Sequence, residues 1–169
     1  MGGKALLAGT VALALALLGA KSPMPRYPSP IELALSSDSA RLFVLCEGTD
    51  EVVVVDSRTG VPGRRIPVGH EPKGMSLSPD GKRLYVTNSW ADSVSEIDTA
   101  SLEVVRTLPA GFEPNASATD GKTLFVANRI SNDIAVVDLG TGLETKRLMA
   151  GRGASYLAMS PDGSRVFST

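Results

Sequence analysis

Gly69-His70-Glu71-Pro72-Lys73-Gly74-Met75-Ser76-Leu77-Ser78-Pro79-Asp80-Gly81-Lys82-Arg83-Leu84-Tyr85-Val86-Thr87-Asn88 is one copy of a unit that recurs on both sides of it. A shift of 42 residues carries Pro30 onto Pro72, Arg41-Leu42-Phe43-Val44 onto Arg83-Leu84-Tyr85-Val86, and Asp56 onto Asp98. A second shift of 42 carries Pro72 onto Pro114, after which the offset becomes 40: Leu84 maps to Leu124, Asn88 to Asn128, Asp98 to Asp138 and Gly111 to Gly151. A fixed period near 40 residues, with several strand-like runs in each copy, predicts an array of β-sheet blades.

The second copy shows how a unit is built. Gly74–Ser78 reads as a first strand and Pro79-Asp80-Gly81 as a turn, with proline presetting φ and glycine accepting a positive φ. Arg83–Thr87 is rich in β-branched and aromatic residues and reads as a second strand. Asn88–Asp92 is a polar loop, Ser93–Ile97 a third strand, Asp98–Ser101 a turn that the aspartate can close, and Glu103–Leu108 a fourth strand. Four short strands in about 40 residues make an antiparallel meander, the unit of a β-propeller. Val52-Val53-Val54-Val55 and Ile134-Ala135-Val136-Val137 are continuous apolar runs, which require burial on both faces. A blade between two others supplies it, so the expectation is an all-β propeller with blades near 31–71, 73–113 and 115–153 and a partial one over 154–169.

Leu84-Tyr85-Val86-Thr87-Asn88, with Ser78-Pro79-Asp80-Gly81 and Gly69-His70-Glu71-Pro72, resembles the YVTN-type β-propeller repeats over residues 31–169. Copy one departs with Leu42-Phe43-Val44-Leu45-Cys46 and copy three with Leu124-Phe125-Val126-Ala127-Asn128; copy three is also two residues shorter before Asp120-Gly121, in its first strand or its turn. The resemblance implies an exported propeller, commonly of seven blades, without implying one activity. Thr169 aligns with Thr87 in mid-repeat, and three and a half such blades should not close a ring. A truncated or partial propeller is expected, its missing blades lying in a longer chain or a partner chain.

With 43% apolar residues, 17 Lys plus Arg and 18 Asp plus Glu, the chain is neither disordered nor polybasic, so nucleic acid is not an expected partner. The single cysteine, Cys46, cannot form an intrachain disulfide; no Cys-x-x-Cys-His occurs, and the one histidine, His70, gives no His-rich metal cluster. No cofactor or metal is therefore expected. Lys4 followed by the uncharged run Ala5–Ala20 has the layout of a secretory signal peptide. As a helix it would be about 24 Å long, short for a bilayer core of about 30 Å. Export to the periplasm, cell surface or medium is expected, with an uncleaved anchor as the alternative and the one route to a membrane. Residues 21–30 carry four prolines and read as a stiff spacer.

In a meander, the loops after the second and fourth strands share one end. Candidate ligand groups on this top face are His70, Glu71, Asn88, Trp90, Glu113, Asn128, Arg129 and Arg152, with Cys46 and Glu47 from copy one. Each also has a structural reading. His70 belongs to the repeat-linking turn, Asn88 and Asn128 can cap a strand end or adopt left-handed geometry, Trp90 can cover a blade edge, and Cys46 can be a small buried residue. Asp56, Asp98 and Asp138 read as turn-closing aspartates, with calcium binding near Asp138–Gly142 as an alternative. Asn115-Ala116-Ser117 fits a glycosylation sequon. No catalytic motif such as Gly-x-Ser-x-Gly is present. A binding scaffold for a protein, glycan or small molecule is the first expectation. The alternative is an enzyme or electron-transfer-associated propeller (lactonase-like or periplasmic dehydrogenase-like), with Glu47, Glu71 and Glu113 at a channel mouth.

Overall fold

The computed structural model describes residues 26–169, so the signal-peptide reading and the first half of the proline-rich spacer lie outside the described residues. Blade one comprises β1 (Pro30–Leu35), β2 (Arg41–Cys46), β3 (Glu51–Asp56) and β4 (Pro62–Pro67). Blade two comprises β5 (Pro72–Leu77), β6 (Arg83–Asn88), β7 (Ser93–Asp98) and β8 (Glu103–Pro109). Blade three comprises β9 (Pro114–Thr119), β10 (Thr123–Asn128), β11 (Asp133–Asp138) and β12 (Leu143–Met149). The half blade is the hairpin β13 (Leu157–Met159) with β14 (Val166–Ser168). Each full sheet is an antiparallel meander in strand order, and the ring is not closed.

The continuous apolar runs do bury both faces. Phe43, Leu45, Val52, Val54 and Ile66 of blade one pack on Met75, Leu84, Val86 and Ile97 of blade two. The opposite face of blade two supplies Tyr85, Val94 and Leu108, which meet Leu124, Val126, Ala135 and Val137 of blade three. Alternation along β6 therefore sends Leu84 to one neighbour and Tyr85 to the other. Burying one such side chain contributes about 1.5–3 kcal/mol. Burial and the nearby Glu96 push the Tyr85 phenol up to about 12, so it stays neutral.

The first strand of each full blade opens on proline, Pro30, Pro72 or Pro114, which lacks the N–H a ladder would need. The register slips after that proline in all three blades, so Ile31, Lys73 and Asn115 occupy bulges. A bulge re-aims its side chain, here at the rim of the central channel. The two residues missing from copy three come from its turn: Leu77 pairs with Leu84 across six residues, but Thr119 pairs with Leu124 across four.

Candidate functional site

The loop after the second strand contains a single 3-10 turn in blades one and two, Glu47–Thr49 and Ser89–Ala91, and in blade three a turn closed by the Asn132 N–H on the Asn128 carbonyl. Nothing in the composition of Asn88–Asp92 marks its 3-10 turn, and the stretch reads only as a polar loop. Asp50, Asp92 and Asn132 follow at equivalent positions, all with left-handed backbone. Each side chain then reaches across to the passage that leads into the next blade. Asp50 Oδ1 accepts the Glu71 N–H at 2.9 Å, Asp92 Oδ1 the Glu113 N–H at 3.1 Å, and Asn132 Oδ1 the Gly153 N–H at 2.8 Å. The passage in turn receives a bond: Ser89 N–H donates to the Glu71 carbonyl and Arg129 N–H to that of Glu113. A two-way latch thus fixes the top loops of successive blades.

The latch brings passage residues against loop residues. Trp90 N–H donates to the His70 carbonyl at 3.2 Å, and the two rings meet edge to face with centroids 5.7 Å apart. Asp50 lies behind the imidazole, 3.1 Å from Nδ1, and also takes the Arg26 guanidinium at 2.9 Å. Burial works against ionising Asp50, but the Glu71 N–H, His70 and Arg26 outweigh it and hold its pKa below the usual carboxylate range. With Nδ1 directed to Asp50, the imidazole is oriented with Nε2 on its far side. Trp90 remains 67% exposed. One blade on, Ile130 N–H meets the Phe112 carbonyl at 3.4 Å, and both side chains are more than half exposed. A cavity of about 400 Å³ lies beside His70 and Glu71, lined also by Arg26, Ser29, Glu47 and Gly48.

The other sequence candidates fall elsewhere. Asn88 and Asn128 are buried at 1% and 0% exposure, in extended rather than left-handed backbone at Asn88. Each amide ties its blade to the passage that enters it. Asn88 Oδ1 accepts the Gly69 N–H and Nδ2 donates to Ser93 and Ser95 hydroxyls; Asn128 Oδ1 accepts the Gly111 N–H and Nδ2 donates to Asp133. A Cβ at Gly69 or Gly111 would sit 2.5–2.6 Å from those amides, so both glycines are held by close approach. Arg129 pairs with Glu113 at the rim, and Arg152 is exposed. Glu47 pairs with Lys73 of the next blade. Of the three carboxylates, Glu47 and Glu71 line the same cavity beside His70, whereas Glu113 stands one blade away, tied to Arg129. Cys46 is buried, and burial followed by the Glu51 charge pushes its thiol up, which disfavours the reactive thiolate.

The turn aspartates are engaged by their own turns. Asp56, Asp98 and Asp138 each accept backbone N–H groups two or three residues ahead, and those bonds lower their pKa values. Among the described residues no group of three or more His, Cys, Asp or Glu is placed to hold a metal ion.

Phe112 and Ile130 were legible in principle, since they fall 42 and 40 residues after His70 and Trp90. Asp50 was not, because its role depends on a backbone N–H 21 residues further on, which no local motif marks.

A family model described as a YNCE-like beta-propeller matches residues 4–116. A search of curated proteins gave no match. Among solved structures, a chain of Kuenenia stuttgartiensis hydrazine synthase is similar at 28% identity with a TM-score of 0.78. The match covers 88% of this chain and 44% of that one, so the chain spans less than half of that relative's length. The repeated four-stranded blades and the extent of the family match lead to one conclusion: the chain belongs to the YNCE-like β-propeller family.

Proposed function

We propose that the chain is an exported propeller of YVTN-type repeats that acts as a binding module through its top face. The observation that carries this reading is the His70–Trp90 pair: an exposed indole edge to face with an imidazole that Asp50 orients, beside a cavity of about 400 Å³. Exposed aromatics supply contact area at low entropic cost, and the fixed loops pre-organise them. Phe112 and Ile130 extend the surface onto blade three, with the Arg129–Glu113 pair as a polar rim. A protein, glycan or small molecule is the ligand class, and residues 1–20 are the export signal. Leu33 and Leu35 point away from blade two and are exposed; further blades, in a longer chain or a partner chain, would cover them.

The test is binding by the full chain and by a variant carrying His70→Ala, Glu71→Ala and Trp90→Ala. Affinity for a ligand that the wild type binds should fall at least a hundredfold, with the circular dichroism unchanged. Unaltered affinity would remove the site assignment.

A second reading, a propeller segment of an enzyme or electron-transfer-associated subunit, is favoured by the similarity to hydrazine synthase. Stoichiometric metal or a haem absorption band in protein purified from its own host would support it. Protein without either, and without lactonase turnover, would count against it.

A further inference from the structure

The inner strands of all four blades converge on a second cavity, of about 470 Å³, at the channel wall. Glu32 on β1, Lys73 on β5, Asn115 on β9 and Ser155 beside β13 contribute its polar lining, with Met75 and Leu157 among its apolar side chains. Two of the polar groups are already paired: Lys73 Nζ with Glu47, and Asn115 Nδ2 with the Ser155 carbonyl at 2.8 Å. Glu32 is different. The Met75 N–H bonds to its carboxyl, but Oε2 is sealed from solvent and has no hydrogen-bond partner.

The repeat does not ask for a carboxylate there. Gly74 and Ala116 hold the equivalent positions in blades two and three, and Tyr156 that in the half blade. A half-buried carboxylate with one sealed, unpartnered oxygen costs free energy unless a donor or a cation completes it. Burial raises the Glu32 pKa, and the nearest channel cation, Lys73, is committed to Glu47. Glutamate χ3 is a broad, roughly two-fold torsion, so a turn of the carboxyl plane presents Oε2 to the cavity.

We propose that this channel cavity binds a small primary ammonium ligand, whose N–H donors and positive charge complete the Glu32 carboxylate. Met75, Leu157 and Ile31 supply walls for a short alkyl portion, and the cavity is within the size range of small-molecule sites. The site shares only Glu47 with the cavity beside His70 and does not depend on the top-face reading.

The experiment is a titration of the full chain with n-butylammonium, followed by carbon-detected NMR of the Glu32 carboxyl. In the free protein the carboxyl should titrate above the ordinary glutamate range, and saturating amine should lower its pKa by at least one pH unit. Glu32→Gln should weaken n-butylammonium binding at least tenfold, whereas the uncharged n-butanol should bind wild type and variant alike. A lysine-containing peptide run in parallel separates a free amine from a protein side chain as the natural source. A Glu32 titration that the amine leaves unmoved would overturn the proposal, as would equal amine binding by wild type and Glu32→Gln. Because the carboxyl is observed directly in wild-type protein, the first result stands even if the variant folds poorly.

Discussion

At the scale of single residues, the asparagine that ends the second strand is a framework group with a specific task. Asn128 joins the passage glycine to Asp133 of the next strand through two hydrogen bonds, both fully buried. Asn128→Ala would leave the Gly111 N–H and one Asp133 oxygen without partners, at a cost of roughly 2–4 kcal/mol. Urea unfolding of the variant measures it; a loss below about 0.5 kcal/mol would mean that water replaces the amide. Blade one manages with Cys46 at this position, whose thiol makes only a long contact to the Val44 carbonyl at 3.8 Å. The residue type was visible in the repeat, but its role was not. An asparagine in a strand-to-loop position reads equally as a cap, a left-handed residue or a ligand, and only the location of Gly69 and Gly111 against it decides.

At the scale of elements, the latch explains why blades with different loop residues keep the same top geometry. Asp92→Ala removes the acceptor for the Glu113 N–H and should cost about 1 kcal/mol. Asp92→Asn should be nearly neutral, because blade three does the same with Asn132. Chemical denaturation of both variants checks the pair; equal losses would show that charge rather than the hydrogen bond matters. The turns make a separate prediction about pH. Asp38, Asp80 and Asp162 close first turns and Asp56, Asp98 and Asp138 close second turns, and their hydrogen bonds hold every one of these pKa values low, Asp162 at about 2. The folded chain then binds fewer protons than the unfolded chain, so this contribution is complete above the unfolded value of about 3.9. It is lost as pH falls through the folded values towards about 2. Thermal midpoints should drop over that interval, and less steeply in Asp80→Asn/Asp98→Asn/Asp138→Asn; an unchanged slope would show the turns to be uninvolved. These turns were legible because each has a local sequence motif. The latch was not, because it joins residues about 21 apart that become equivalent only once their backbone is known.

At the scale of the whole molecule, blades cohere through apolar faces and a few charged ties. Glu96 is 5% exposed and meets Arg83 at 3.2 Å and Arg106 at 2.7 Å, while Arg106 also donates to the Leu139 carbonyl of blade three. Glu96→Ala removes the carboxylate shared by both guanidinium groups, leaving Arg83 with Asp98 and Arg106 with the Leu139 carbonyl, and should cost about 1–2 kcal/mol after allowing for their solvation. The loss should appear in equilibrium unfolding as a lower midpoint; an unchanged midpoint would assign blade cohesion to apolar packing alone. Blade order, strand number and the apolar interfaces all followed from the repeat, since a shift of 42 or 40 superposes buried position on buried position. The convergence of Glu32, Lys73, Asn115 and Ser155 did not, because bulges at the first strands set which residues meet the channel. The central claim is that ligand seats on the top face, and Trp90, the sole tryptophan, reports on that face alone. The most direct measurement is therefore the emission of Trp90 during titration with a ligand whose binding calorimetry has established. A saturable shift of emission, with the same midpoint as the heat and displaced at least tenfold in His70→Ala/Glu71→Ala, is the expected result. A ligand that binds saturably while Trp90 emission stays fixed would contradict the account.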